Sequence, residues 1–459
     1  MSRRHVGGCW AGWLAAATFA LVVLVAGGGS RAEMNDDARP GEVIKFERAL
    51  PSEIWSTSSR HLTLYTDVSR GAEIERLGSQ FDMAVEQFCR YFGVDPESAK
   101  KWHMTGCLMV DKKPFAACGL LPADLPEFRH GYSVGDRFWL YEQPSEYYRR
   151  HLLLHEAVHG FMNAFVRRAS PPWYREGIAE LLATHRLERG ELSLRYFPAR
   201  REEVPMWGRI RIIQDAVKAG GARPLDEVLE LGPRAHLEVE PYAWCWAVAS
   251  LLDSHPRYRE RFRRLRTRHD AAQLDNQFRE LYATDWTELC EDWQLFQSDL
   301  EYGYDVERMA VDWTPGRAMS VASATIRVAA DRGWQSSGLL LEGGQSYRLQ
   351  ARGRYELARD PRIWWCEPSG VSIRYYKGRP LGVLLAAVRP QRREPHEAST
   401  LAIPTTVGLD ATLTAERTGT LYLRINDSAA ELADNAGTLE VEIKQLAADG
   451  RDQRRAGPD

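Results

Sequence analysis

The spacing of hydrophobic and polar positions changes several times along the chain. Trp10 to Ala26 is an unbroken apolar run. His61-Leu62-Thr63-Leu64-Tyr65-Thr66 alternates with the period of two that suits a half-buried strand. From Ile74, apolar side chains at Leu77, Phe81, Val85 and Phe88 recur three and four positions apart, which predicts a helix over 74–92. Gly106 to Val110 and Arg137-Phe138-Trp139-Leu140-Tyr141 predict further strands, so that 45–145 reads as an α/β lobe.

Residues 146–302 read as almost wholly helical. One helix is expected from about Tyr147 to Arg168, broken by Pro171-Pro172. A second begins near Trp173, behind prolines placed where a missing N–H costs least. Others are expected near 209–219, 242–254, 256–267, 271–282 and 286–300, and 303–317 is expected to be a linker. From 318 to 447 short alternating runs with glycine-rich turns take over, among them Gly338 to Leu341, Tyr347 to Ala351, Leu421 to Ile425 and Thr438 to Ile443. That rhythm predicts a β-sandwich. The polar, charged tail over 448–459 is expected to be disordered. The expected fold class is α+β, with an α/β front lobe and a helical lobe followed by the β-sandwich.

Composition adds constraints. At 459 residues the chain is long enough for two or three domains, and its formal net charge of −3 gives no reason to expect a nucleic-acid partner. The basic start Arg3-Arg4-His5, the apolar run and the small-residue exit Ser30-Arg31-Ala32 read as a signal peptide over 1–32, followed by a polar lead-in over 33–44. An uncleaved anchor is the alternative, but the run is short for a span of about 20 residues. The mature protein is expected to be periplasmic or extracellular, with no stable membrane span. Of seven cysteines, six follow the leader, widely spaced and without a C-x-x-C pair, so neither a dense disulfide scaffold nor a zinc knuckle is implied.

The chemistry concentrates at His155-Glu156-Ala157-Val158-His159. Residues four apart on an α-helix project from nearly the same face, so the two imidazoles can share one Zn²⁺. Glu156, beside the first ligand, can take the proton of a water as it attacks a carbonyl that zinc polarises. Leu152, Leu153, Leu154, Val158, Phe161 and Met162 supply apolar surface to bury this helix. Zinc needs a third protein ligand, and Trp173-Tyr174-Arg175-Glu176-Gly177-Ile178-Ala179-Glu180 stands downstream.

With both motifs in view, residues 45–300 resemble the gluzincin clan of zinc metallopeptidases, which includes thermolysin and the aminopeptidase N family. The resemblance is greatest to an exported bacterial branch with this pattern. Trp173, Glu176, Gly177 and Ala179 match the W-x-x-E-G-x-A pattern of the second zinc helix. The resemblance implies Glu176 as third ligand, 17 positions after His159. It also implies that Glu180, one turn on, accepts the far N–H of a zinc-bound imidazole, His155 in the first instance. A swapped assignment, with Glu180 as ligand, is the alternative; Gly177 beside Glu176 speaks for close packing there. By the same resemblance Tyr242 donates to the developing oxyanion, and its alternative is a core aromatic at a helix start. The G-x-M-E-N motif that recognises a free α-amine in aminopeptidases is absent from the sequence.

In the C-terminal region, Asn426 to Gly437 places acidic and amide oxygens in a loop, the ligand type that Ca²⁺ prefers. It resembles the calcium loop of PA-I type galactose-binding lectins, which implies Asp427, Asp434 and Asn435 as side-chain ligands, with the backbone carbonyl of Glu431. Polar turns are the alternative. The expected function is thus an exported zinc peptidase acting on peptide or protein substrates. The alternative is an idle zincin-like scaffold that binds glycans through calcium.

Overall fold

Leu62 and Leu64 point inward from strand β2 (Leu62–Thr66), as their alternation predicts. The computed structural model describes residues 50–166, 170–232, 238–265 and 271–447. The expected signal peptide, lead-in and charged tail lie outside them. β1 (Trp55–Ser58), β2, β3 (Met104–Met109), β4 (Gly131–Val134) and β5 (Arg137–Tyr141) form one sheet in the order β1-β2-β3-β5-β4. β2, β3 and β5 run parallel, while β4 returns antiparallel along β5 and forms the edge. α1 (Ala72–Phe92) buries Ile74, Leu77, Phe81, Val85 and Phe88 and stops at Gly93, whose φ of 68° is one glycine adopts without strain. Two short helices, α2 (Pro96–Ala99) and α3 (Lys112–Cys118), complete this lobe.

The helices that follow are α4 (Glu146–Phe161), α5 (Pro172–Ala183), α6 (Arg209–Lys218), α7 (Leu225–Leu229), α8 (Val239–Ser254), α9 (Arg259–Arg264), α10 (Ala271–Tyr282), α11 (Trp286–Asp299) and α12 (Val306–Met309). The Ser145 side chain accepts from the Tyr148 N–H at 3.2 Å and caps α4. α4 gives way to a π-helical turn over Met162–Val166, and its expected end at Arg168 lies outside the described residues. The expectation of nearly unbroken helix over 146–302 needs one correction. β6 (His185–Glu188) and β7 (Glu191–Leu194) form a hairpin. Its turn holds Arg189 at φ 54° and Gly190 at φ 89°, the left-handed pair that a tight two-residue hairpin requires.

The C-terminal region is β-rich. A five-stranded sheet orders Thr405–Thr406, Leu384–Pro390, Gly419–Ile425, Gln335–Leu341 and Arg317–Ala318. A four-stranded sheet orders Asp410–Thr414, Ser346–Arg352, Thr438–Gln445 and Ser323–Ala329. The two sheets share a core that includes Leu349, Val441 and Ile443 on one side and Leu384, Leu421 and Leu423 on the other.

This region is built into the helical one. Ala429 and Leu432 belong to the same buried cluster as Trp244 and Trp293, and Tyr304, Val306 and Met309, in the expected linker, join it too. Fully buried Glu291 on α11 accepts from Arg389 at 2.7 Å, Arg393 at 3.1 Å and Ser399 at 2.6 Å. Asp299 pairs with Arg424 at 3.1 Å and with Lys377. Removing one partner of such a pair strands a buried charge, so these contacts hold the β-rich region in one position against α11.

Candidate metal centre

Two helices bring three ligand atoms together. On α4, His155 and His159 sit one turn apart with their Nε2 atoms 3.1 Å from each other. From α5, Glu176 Oε2 lies 3.2 Å from each of those nitrogens. The result is a nearly equilateral triangle of lone-pair atoms. An ion held tetrahedrally at about 2.0–2.1 Å sets its ligands about 3.3–3.4 Å apart, so the triangle has the size such an ion needs. All three side chains are shielded, and only Glu176, with 13% of its side chain exposed, reaches toward solvent. Burial alone would push the Glu176 carboxyl up, but His159 and His155 hold it well below the usual carboxylate range. His155 is buried too, yet Glu176 and Glu180 raise its pKa to about 10. Burial lowers the pKa of His159, which leaves that imidazole neutral as a metal ligand must be, and a metal cation fits this donor set of two imidazoles and one carboxylate.

Glu180, the next turn of α5, lies behind the triangle. Its Oε1 is 3.3 Å from His155 Nδ1, somewhat long and poorly aligned for a hydrogen bond but on the side the sequence reading assigned. His151 Nε2 stands 3.3 Å from the other carboxylate oxygen, and its Nδ1–H donates to the Ala183 carbonyl at 3.1 Å. Arg209 donates to both Glu180 oxygens, Nε to Oε2 and Nη2 to Oε1, each at 3.0 Å. Burial opposes the charged form of Glu180, but Arg209 and then His151 keep its carboxyl well below the ordinary range. His151, His155 and Glu180 are close enough to form a second metal-ligand set. The bidentate guanidinium already occupies that carboxylate, and an ion there would face its charge at close range. The first triangle, whose carboxylate carries no guanidinium among the described residues, is therefore the better candidate for a metal, with Glu180 behind it beside His155.

Glu156 belongs to neither ligand set. It is buried with its Oε2 accepting from Ser133 Oγ of β4 at 2.5 Å. A Cβ on Gly131, in the same strand, would come within 2.8 Å of Glu156 Oε1, so glycine there leaves the carboxylate its space. Tyr242, near the start of α8, packs its ring edge-on against His155 with centroids 5.7 Å apart. Burial, reinforced by the charges of Glu176, Glu156 and Glu180, pushes its hydroxyl pKa far up and keeps it a donor. α5 and α8 approach closely because of Gly177: a Cβ there would sit 2.8 Å from the Cys245 carbonyl oxygen. The packing reason read for Gly177 from sequence is thus met on α8.

Ser133, Arg209 and His151 were not singled out from sequence. His151 left a trace, since histidines at 151, 155 and 159 form one stripe at a spacing of four. Ser133 and Arg209 left none, because they arrive from a strand and a helix whose placement is tertiary. Phe138 to Tyr141, expected as a strand, lies inside the sheet between β3 and β4.

In the C-terminal loop, Asp427 and Asn435 are buried together. Asn435 Nδ2 donates to Asp427 Oδ2 at 2.9 Å and to the Ala330 carbonyl at 3.1 Å, while Asp427 Oδ1 accepts from the Ser428 N–H at 2.7 Å. Asn435 Oδ1 is buried without a donor among the described residues. Burial pushes the Asp427 carboxyl up to about 6. Asp434 is exposed, and Arg374 donates to both carboxylate oxygens of Glu431 at 2.7 Å. Ser428 donates to Glu301 at 2.7 Å, which ties this loop to the helical region.

No family model matches the chain, and no curated protein matches it. Similar solved structures include the N-terminal domain of EclA, a PllA-like lectin, 22% identical over 28% of this chain and 97% of that one, with a TM-score of 0.19. They include PliG of Aeromonas hydrophila, a periplasmic inhibitor of g-type lysozyme, 9% identical over 28% of this chain and 91% of that one, with a TM-score of 0.17. They also include IMPa from Pseudomonas aeruginosa in complex with an O-glycopeptide, 13% identical over 55% of this chain, with a TM-score of 0.18; the match spans 25% of that protein. At these TM-scores none bears on the chemistry of the centre, which rests on its own atoms.

Proposed function

We propose that the chain is an exported zinc-dependent hydrolase that cleaves peptide bonds. The observation that carries this reading is the triangle of His155 Nε2, His159 Nε2 and Glu176 Oε2, with the Glu156 carboxylate outside it and held by Ser133. Zinc held by these three residues would supply a Lewis acid, polarising a carbonyl and making a water more acidic. Glu156 accepts the proton of the attacking water and returns it to the leaving nitrogen. The Ser133 hydroxyl fixes the direction of the Glu156 carboxylate through each transfer. Tyr242 donates its hydroxyl hydrogen to the oxygen that gains charge. β4 ends the sheet, and its outer edge suits an extended peptide backbone laid alongside.

The test is digestion of a peptide library, with and without O-linked sugars on its serines and threonines, by the full-length zinc-loaded protein. Cleavage that a chelator abolishes and added zinc restores is the expected result. Cleavage indifferent to chelator, or none with zinc fully loaded, rejects the reading.

A separate proposal concerns the C-terminal loop, where the unpaired buried Asn435 Oδ1 beside Asp427 favours a structural Ca²⁺. Asp434 and the Glu431 carbonyl would complete the set. Calcium at about a hundred times its Kd should stabilise the folded chain by about 2.7 kcal/mol. Asp427→Ala with Asp434→Ala should remove that rise in melting temperature. No calcium-dependent rise in the wild type ends this proposal, and calcium-dependent signal on a glycan array would give the bound ion a sugar-binding role as well as a structural one.

A further inference from the structure

Arg209 is almost fully buried at the start of α6, far in sequence from either zinc-ligand helix. A buried guanidinium is retained only where its donors are used, and here two of them are used on the carboxylate behind His155, with Tyr148 a further side-chain partner. Nε and Nη2 grip the two oxygens of Glu180, and Nη1 donates to the Trp207 carbonyl at 3.1 Å. The guanidinium carbon also lies 5.8 Å from the centroid of the Tyr242 ring. One side chain thus holds the carboxylate behind His155 and lies over the aromatic ring packed against His155. Gly208, at φ 63°, turns the chain immediately before α6 and sets the direction from which Arg209 enters.

We propose that Arg209 is a positioning residue for the metal centre, acting through Glu180 to fix the orientation of the His155 imidazole. This rests on the triangle of His155, His159 and Glu176 being the metal site. A carboxylate free to rotate could pair with His151 as readily as with His155, since its oxygens stand 3.3 Å from each. The planar two-point grip removes that rotation: Oε1 is kept toward His155 and Oε2 toward His151. A lysine ammonium would keep the charge but, as a point donor, not the orientation.

The test is zinc affinity of the full-length protein, measured by competition with a chromogenic chelator, for wild type, Arg209→Met, Arg209→Lys, Glu180→Gln and the double variant Glu180→Gln/Arg209→Met. Loss of an outer contact to a metal-ligating histidine typically weakens metal binding by roughly 10–100-fold. Arg209→Met is expected to fall in that range, with Arg209→Lys between it and wild type. Because Arg209 acts through Glu180, the double variant should bind zinc no more weakly than Glu180→Gln alone. That comparison carries the test even if Arg209→Met fails to fold, since the double variant leaves no stranded carboxylate. Losses that multiply in the double variant would overturn the proposal, as would wild-type affinity in a folded Arg209→Met. A wild type that takes up no zinc overturns both this inference and the function on which it rests. Wild-type binding unchanged in Arg209→Met overturns this inference alone.

Discussion

Glu156→Gln is expected to lower peptide hydrolysis by roughly 10²–10⁴-fold while leaving the protein folded and its metal in place. The substitution preserves side-chain volume beside Gly131, where space is short, and its amide oxygen can still accept from Ser133. It removes the one property the reaction needs there, a carboxylate that can hold a proton. Metal should stay because Glu156 lies outside the ligand triangle. Turnover measured beside zinc content separates the two roles. Full activity would mean that hydrolysis does not use this site, and loss of zinc would mean that Glu156 is a ligand.

Glu176→Gln should do the reverse. It replaces the only anionic member of the triangle by a neutral amide, beside two imidazoles that must also be neutral to bind metal. Zinc affinity should fall by roughly a hundredfold or more, beyond what loss of an outer contact costs. A hundredfold loss of affinity removes about 2.7 kcal/mol of zinc-linked stability when zinc well exceeds even the variant's Kd. The difference in melting temperature between zinc and chelator should therefore shrink in this variant, while its metal-free melting temperature changes less. Unaltered zinc affinity would transfer the ligand role elsewhere, with Glu180 the first candidate.

How far the sequence revealed this arrangement of side chains depends on distance along the chain. His155 and His159 were legible because helical geometry alone decides that residues four apart share a face. Glu176 and Glu180 were legible as a pair on a second helix whose start Pro171 and Pro172 mark. The placement of Glu180 beside His155 follows from the sequence, whereas its contacts with His151 and Arg209 do not. Ser133 and Arg209 lie 23 residues before Glu156 and 29 after Glu180, and no local pattern connects them. The β6–β7 hairpin was missed because its strands are short and interrupt a helical stretch; Gly190 was the available signal. The strands around 335–351 and 419–445 were found from alternation, whereas the burial of Ala429 and Leu432 in the helical core was not. That contact depends on a docking surface made by α11 and the segment after it, which no periodicity encodes.

The measurement closest to the central claim is the zinc content of the full-length protein, purified with zinc supplied and then dialysed free of excess. A wild type carrying about one zinc per chain, a Glu156→Gln variant carrying the same, and a His155→Ala/His159→Ala variant carrying none is the predicted result. A folded wild type that retains no zinc, or zinc that survives loss of both histidines, would contradict it.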